Sequence, residues 1–469
     1  MPVLARAGHS ALLRPSLGDR ATAAAWVALG AAALLLGVAA GTDPKLAIGA
    51  ALGLAFIAAV LNDLALGLAL FTILAFFEVL PAVAGGFTFA KIGGILLALA
   101  WLATLTVRGG RGSRAFVAEH PLATTLLLAF LGWVAISAAW AESPSSTLAT
   151  LPRYGPNVFL FFIVYTAIRE RRHVVWLLVA FVIGSTIAAL YGIARPPSQT
   201  SLRGDRIGGI VGDPNELASV LIVGLVLAVT LAGILRRHTL ARGATAAAAV
   251  LLLLGVLLTL SRGGLLALVV VMIVAIFNAG RWRPAAVLLA VLAVAGAVGY
   301  FSAFASPVAR ARVTTAGTGS GRTGLWTIGW RMVEAHPVHG IGAGNFAVSS
   351  VHYLLRPGTI PSDYLVVDIP QVAHNVYLQL LAETGVIGLA LFLGTVGIGL
   401  AGAIGAARAF RARGDPSMEL VARGVLTAQA GILAADFFIS AQYNKQLWIL
   451  LALGPALLAL ARRPAATGG

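Results

Sequence analysis

Cysteine is absent from this chain of 469 residues, and charge is scarce: Asp, Glu, Lys and Arg together make up 11% of it. The first absence excludes disulfides and thiolate metal ligands. The second excludes an ordinary soluble fold, whose surface takes about 25% charged residues. Acidic residues are the scarcer sign, 17 against 33 basic, which leaves a net charge of +16. In a soluble protein that excess would point to nucleic acid. No nucleic-acid partner is expected here, because the arginines fall in short segments between apolar runs, where they set membrane topology. Segment 1–20 holds Arg6, Arg14 and Arg20 but lacks the short apolar core and small residues of a cleavable signal. It reads as a cytoplasmic tail leading into a retained first span.

What the chain has instead is hydrophobic length: 59% of its residues are apolar. A helix needs about 20 mostly apolar residues to cross about 30 Å of hydrocarbon. Fourteen candidate spans meet or approach that, near 21–41, 45–61, 64–83, 90–107, 121–140, 155–168, 173–194, 210–235, 244–260, 264–279, 284–304, 376–405, 419–440 and 446–461. Membrane lipids are therefore an expected partner.

Charge tests this register. With segment 1–20 inside, the inside connections carry Arg108, Arg111 and Arg114; Arg169, Arg171 and Arg172; Arg236, Arg237 and Arg242; Arg281 and Arg283; Arg408, Arg411 and Arg413; and Arg462 and Arg463. The short outside connections at 42–44, 84–89 and 441–445 carry almost none. One alternating register thus satisfies the positive-inside rule, and a shift by one span would put every cluster outside. The expected organisation is a tail at 1–20, a membrane bundle at 21–304, an outer loop at 305–373, further membrane helices at 374–461 and a second inside tail at 462–469. The fold class is all-α, a polytopic bundle whose backbone groups are satisfied within helices.

Topology does not account for the basic residues left outside: Arg153, Arg195, Arg203, Arg206, Arg262, Arg310, Arg312, Arg322, Arg331 and Arg356. Singly, each is able to reach lipid phosphates. Together they ask for more. Arg206 lies in Leu202-Arg203-Gly204-Asp205-Arg206-Ile207-Gly208-Gly209 just before a span, Arg262 at a hairpin tip, and Arg322 at the start of a loop helix. Guanidinium forks bind phosphate oxygens in pairs, so convergent arginines at a membrane surface suit a diphosphate carried by a lipid.

The outer loop has internal order. Gly321 to Ala335 reads as an amphipathic helix with Leu325, Trp326, Ile328, Met332 and Val333 on or near one face, ended by His336-Pro337. Val338-His339-Gly340-Ile341-Gly342-Ala343-Gly344-Asn345-Phe346 follows as a glycine-rich turn. No strand precedes it, so these glycines read as turn formers rather than a phosphate cradle. The loop closes on Gln371-Val372-Ala373-His374-Asn375 as the next apolar run begins. His374, read as the first residue of that helix, is the candidate base: imidazole takes a proton near neutral pH. Neighbouring arginines would keep it unprotonated. His336, His339 and His352 are rivals farther from a span. Glu383 falls about 13 Å along the helix from His374, too far to orient it directly. Asp205, Asp213 and Glu216 offer a cation site, but Asp213-Pro214 before a span fits a helix N-cap with proline at the first position, and no metal is expected.

These motifs resemble those of the O-antigen ligase and O-antigen polymerase superfamily. The resemblance is carried by Arg206-Ile207-Gly208-Gly209 with Asp213-Pro214-Asn215-Glu216-Leu217-Ala218; Leu258-Thr259-Leu260-Ser261-Arg262-Gly263-Gly264; Gly321-Arg322-Thr323-Gly324-Leu325-Trp326; Pro337 to Phe346; and His374-Asn375-Val376-Tyr377-Leu378 with Glu383-Thr384-Gly385. It implies about twelve spans, so the bundle is expected to have about 12–14, with one long periplasmic loop containing short helices. It also implies an enzyme of the bacterial inner membrane with both termini cytoplasmic, a metal-independent glycosyltransferase acting at the periplasmic face without a cofactor. Its donor would be an undecaprenyl-diphosphate-linked glycan and its acceptor lipid A–core or another glycan. His374 would serve as base and Arg206, Arg262 and Arg322 would hold the diphosphate, with support from Asn375, Arg203, Glu383 and His339. The alternatives are a polysaccharide polymerase, a protein O-oligosaccharyltransferase, or a transporter or flippase of the lipid-linked glycan. The last fits less well, because charge gathers at one surface rather than mid-membrane and no paired repeats are evident.

Overall fold

A computed structural model describes residues 41, 44–77, 88–107, 116–195, 206–209, 212–314, 322–354 and 371–463. The chain divides into two compact units, Met1–Ala59 and Val60–Gly469. No strand occurs among the described residues. The helices are α1 Pro44–Asn62, α2 Leu64–Leu74, α3 Phe89–Val107, α4 Pro121–Ile136, α5 Pro144–Ala167, α6 Arg171–Ala194, α7 Pro214–Ile234, α8 Thr239–Leu258, α9 Arg262–Asn278, α10 Arg283–Gly299, α11 Pro307–Thr314, α12 Arg322–Ala335, α13 Phe346–Leu354, α14 Val376–Ala412, α15 Pro416–Ala435 and α16 Lys445–Arg462.

Eight of the helical stretches are long and apolar enough to cross a membrane, and four more are apolar but shorter. The protein is a polytopic helical bundle. Its boundaries differ from the sequence reading in places. The candidate span at 155–168 begins earlier, at Pro144, because the Ser143 side chain accepts a hydrogen bond from Ser146 N–H and caps the helix there. The span at 376–405 runs on to Ala412. The span at 64–83 is helical to Leu74 and continues as a single tighter turn to Phe77. The span at 21–41 and the tails at 1–20 and 464–469 lie outside the described residues.

Within the second unit, α7, α15 and α16 have about seven-tenths of their apolar windows buried, and the stretch 280–304 has none. Leu288, Val291 and Val298 on α10 face outward. Such a helix has lipid for its solvent. Small residues let the inner helices close up: a Cβ on Gly402 of α14 would run into Gly454 on α16. Gln429 of α15 donates to Leu450 O at 2.7 Å, satisfying a polar group between helices.

The predicted inside connections meet at one end. Arg171 pairs with Asp415 at 2.7 Å, Arg463 donates to Arg169 O at 2.8 Å, and Arg413 donates to Arg463 O at 2.7 Å. His173 lies 3.6 Å from Asp63, and Tyr165 donates to Glu119 at 2.6 Å. Arg281 and Arg423 both pair with Glu419. The clusters at 169–172, 408–413 and 462–463, which the register assigned to one face, are thus neighbours in space.

Candidate active site

The other end of the bundle gathers Arg206, Arg262, Arg322 and His374. Local chemistry explains how each gets there. Asp213 accepts hydrogen bonds from Asn215 N–H at 2.7 Å and Glu216 N–H at 3.1 Å, and Pro214 takes the first helical position of α7. The carboxylate of Asp213 is therefore a helix cap, as the capping reading held. The segment before it folds back over the end of α8. Ile207 N–H donates to Leu258 O at 3.3 Å, and Arg206 donates through Nε to Thr259 O at 3.0 Å.

The turn between α8 and α9 is tight. Leu260 sits at φ +49, a conformation L-residues seldom adopt, and Ser261 caps α9 by accepting from Gly264 N–H at 3.0 Å. Asn215 ties this turn to the Arg206 segment. Its Oδ1 accepts from Arg206 at 2.9 Å and from the Ser261 hydroxyl at 2.8 Å. Arg262 follows as the first residue of α9. It is exposed, and its Nε donates to the backbone oxygen of Arg312 at 2.7 Å.

Arg322 opens α12 as expected, and the helix stops at Ala335 before His336-Pro337. Its apolar face builds a separate small core: Leu325, Ile328, Met332 and Val333 pack with Ile341, Phe346, Tyr353, Ala373 and Ala382. That packing fixes α12 on α14, and Trp326 completes the placement by donating to Ala373 O at 3.1 Å.

His374 comes next, and here the structure corrects the sequence reading. His374 is not the first helical residue. It precedes the cap in left-handed backbone at φ +50, while Asn375 caps α14 by accepting from Leu378 N–H at 3.0 Å. The cap and the pinned Ala373 carbonyl leave His374 to absorb the reversal between them. A non-glycine residue held there stores strain of about 1–3 kcal/mol, a condition found disproportionately at functional sites.

Electrostatics links these groups. Burial, and then the Arg322 charge, hold His374 below the ordinary histidine range, while Asp213 opposes them. Arg322 is itself lowered by burial, supported by Asp213, and further lowered by the charges of Arg312 and Arg262. Arg322 therefore lies in the field of two other guanidinium groups and of the Asp213 carboxylate. The imidazole of His374 is thereby biased toward the neutral, proton-accepting form.

The glycine-rich turn has a different task. Gly340, Gly342 and Gly344 have φ of +71, +100 and +73. The turn clasps α14: Ile341 N–H donates to Ala382 O at 3.0 Å and Gly342 N–H to Glu383 O at 2.8 Å. Glu383 is 1% exposed, and its carboxylate accepts from Gly344 N–H at 2.8 Å, Phe346 N–H at 3.3 Å and Gln379 Nε2 at 3.0 Å. These amides thus already have an acceptor, and it is the protein's own carboxyl group. Helix α14 kinks at the same place, at Gly385 with φ +66. His339 stacks edge-on against Trp140 with ring centres 5.2 Å apart and contacts Gly340 O through Nδ1 at 2.8 Å. His352 faces Glu142 at 3.3 Å.

Other arginines placed on this side by the sequence are engaged individually. Arg153 lies over the Tyr443 ring at 5.1 Å, Arg195 over Tyr191 at 4.9 Å, and Arg331 donates to Tyr353 O at 2.8 Å. Arg203, Asp205 and Arg356 lie outside the described residues. Asn215, Ser261 and Trp326 stand inside motifs quoted from the sequence, but their tasks show only in the structure, where Asn215 joins Arg206 to Ser261 and Trp326 fixes Ala373.

A polytopic membrane protein with a basic, histidine-bearing cluster of side chains at one end of its bundle is the class these observations define. Residues 247–393 match the family model described as O-Antigen ligase. The match supports the O-antigen ligase superfamily for this chain and, with it, an enzyme of the glycan-transferring ligase or polymerase kind, acting on lipid-linked glycan and a glycan acceptor. It covers Arg262, Arg322, His374 and Glu383, while Arg206 and its Asn215 partner precede it. No curated protein matches the chain.

Proposed function

We propose that this protein is an O-antigen ligase, a metal-independent inverting glycosyltransferase of the bacterial inner membrane. It moves the glycan from undecaprenyl diphosphate to lipid A–core at the periplasmic face, with both termini in the cytoplasm. The observation that carries this reading is the pairing of an imidazole biased toward neutrality with Arg322, whose guanidinium lies in the field of Arg262, Arg312 and Asp213.

The acceptor hydroxyl gives its proton to His374 as its oxygen attacks the anomeric carbon. A new C–O bond forms on one side, and the bond to the diphosphate breaks on the other. Configuration therefore inverts, and the electron pair leaves with undecaprenyl diphosphate. The leaving group gains one negative charge. Arg262 and Arg322 meet that charge, with Arg206 held by Asn215 at the edge of the same group. Preorganised charge of this kind lowers a barrier because it needs no reorientation during the reaction. Asn375 supports the base by fixing the helix that follows it. Glu383 and His339 act at one remove, by holding the glycine-rich turn and its neighbours in place. The loop at 305–373 is the acceptor-side structure in this scheme.

The test is transfer in vitro from purified lipid-linked donor to lipid A–core. General-base catalysis is worth about 10²–10⁴-fold, so His374→Ala should fall by that factor, and Arg262→Ala should lose transfer while both variants insert normally. Full transfer by His374→Ala removes the residue from the mechanism. Deletion of the gene distinguishes the two family activities. Loss of O-antigen attachment with intact chain growth fits the ligase, whereas loss of chain growth itself indicates a polymerase.

A further inference from the structure

Helix α12 carries more than the arginine at its start. Arg322, Trp326 and Trp330 recur every four residues, so the two tryptophans are set about 6 Å and 12 Å along the axis from the backbone of Arg322. Trp330 is 55% exposed although the opposite face of the helix is buried. Beside it lies a cleft of about 570 Å³, lined by Trp326, Thr327, Trp330, Arg331, Glu334, Asn375 and Leu378. That size falls within the range of small-ligand sites. Asn375, the residue that follows His374 in the chain, forms part of the cleft wall.

The lining is mixed in a particular way. A pyranose ring has an apolar face of C–H groups and a rim of hydroxyls. The face packs on the electron-rich face of an indole, and the rim needs donors and acceptors around it. Trp330 supplies the platform, and Thr327, Arg331, Glu334 and Asn375 supply the rim. The parts are held: Trp326 is fixed by its bond to Ala373 O at 3.1 Å, Arg331 by Tyr353 O at 2.8 Å, and Asn375 by its cap on α14.

We infer that this cleft is a glycan subsite in which a pyranose ring stacks on Trp330, about two helical turns from Arg322. The ring belongs either to the donor glycan or to the acceptor glycan, and both present the same chemistry. The inference rests on the glycosyltransferase reading given above.

The experiment uses the full chain in nanodiscs, with donor and acceptor varied separately. Trp330→Ala should raise one KM about tenfold, equivalent to about 1.4 kcal/mol, with kcat within about twofold, and Trp330→Phe should restore it. A raised donor KM assigns the donor glycan, and a raised acceptor KM assigns the acceptor. Wild-type transfer with both KM values unchanged in Trp330→Ala overturns the subsite and leaves the proposed function standing. A wild-type protein that transfers nothing overturns the proposed function. In that case saturation-transfer NMR decides the subsite, with the oligosaccharide released from the donor by mild acid and the free core oligosaccharide as probes. Contact in wild type and Trp330→Phe, lost in Trp330→Ala, supports it, and no contact by either probe overturns it. Because the chain has no cysteine, a nitroxide on Trp330→Cys is unique. Relaxation by a water-soluble reagent fits the subsite, and relaxation by lipid-dissolved oxygen alone makes Trp330 a membrane anchor and overturns it.

Discussion

Replacing Glu383 with alanine should loosen the glycine-rich turn selectively. In the wild type its carboxylate accepts from the backbone N–H groups of Gly344 and Phe346, at 2.8 and 3.3 Å, and from Gln379 at 3.0 Å. All three donors lose their partner in Glu383→Ala, at a site with 1% exposure. A buried donor left unpaired costs about 1–3 kcal/mol. Allowing for the long Phe346 contact and some entry of water, the two backbone amides together lose about 3 kcal/mol. Local opening of the 343–346 segment should then become about 10²-fold more frequent. Glu383→Gln keeps one acceptor oxygen but turns an NH2 toward a donor, so its loss is one hydrogen bond, about tenfold in opening. The assay is amide hydrogen exchange across residues 340–346 in detergent. Ile341 and Gly342 serve as an internal comparison, because they donate to the backbone oxygens of Ala382 and Glu383. Their protection should fall less. Unchanged protection of Gly344 and Phe346 in Glu383→Ala would refute the reasoning, since it would mean that the carboxylate does not hold the turn.

Two further outcomes follow from named contacts. His374 must be neutral to accept a proton, and its pKa is lowered, so the acidic limb of kcat/KM should lie below pH 6.5. Arg322→Gln removes a charge that lowers this pKa and should move the limb to higher pH. Asp213→Asn keeps the cap, removes a charge that raises it, and should move the limb to lower pH. Movement of both limbs in the same direction would break the argument. Gly340 and Gly414 both have positive φ, +71 and +66, but a Cβ on Gly340 would meet the Glu383 backbone and one on Gly414 meets nothing within 4 Å. Gly414→Ala should therefore cost about 1 kcal/mol from its backbone conformation alone. Gly340→Ala should cost clearly more, and thermal denaturation in detergent compares them.

Much of this architecture was legible before any coordinates. The membrane helices follow from the length of apolar runs, because lipid imposes its condition on every residue that meets it. Helix α12 was legible for a related reason: Leu325, Ile328, Met332 and Val333 repeat at helical spacing. The arginines were found as residues that topology did not need. What remained hidden depends on contacts between distant segments. Nothing near His374 announces a left-handed backbone, since that results from Trp326 gripping Ala373 across 47 residues while Asn375 caps the helix behind it. Glu383 looked like a support for the base, yet its partners lie 37 to 39 residues back in the glycine turn. Asn215 joins Arg206 to Ser261 across a gap of 46 residues that no local pattern encodes.

Helix α14 has 37 residues. At 1.5 Å per residue its two segments on either side of Gly385 add up to about 55 Å, against about 30 Å of hydrocarbon. The excess has to stand in the headgroup region or in water, and the bend at Gly385 divides it so that the stretch nearest His374 leans on the loop core rather than on lipid. Under the proposed function, the height of His374 above the acyl chains is set by the longer segment beyond Gly385, whose far end is tied where Arg413 donates to Arg463 O. On that reading bilayer thickness bears on the reaction: a thicker membrane brings a lipid-borne diphosphate nearer the imidazole, and a thinner one leaves it farther below.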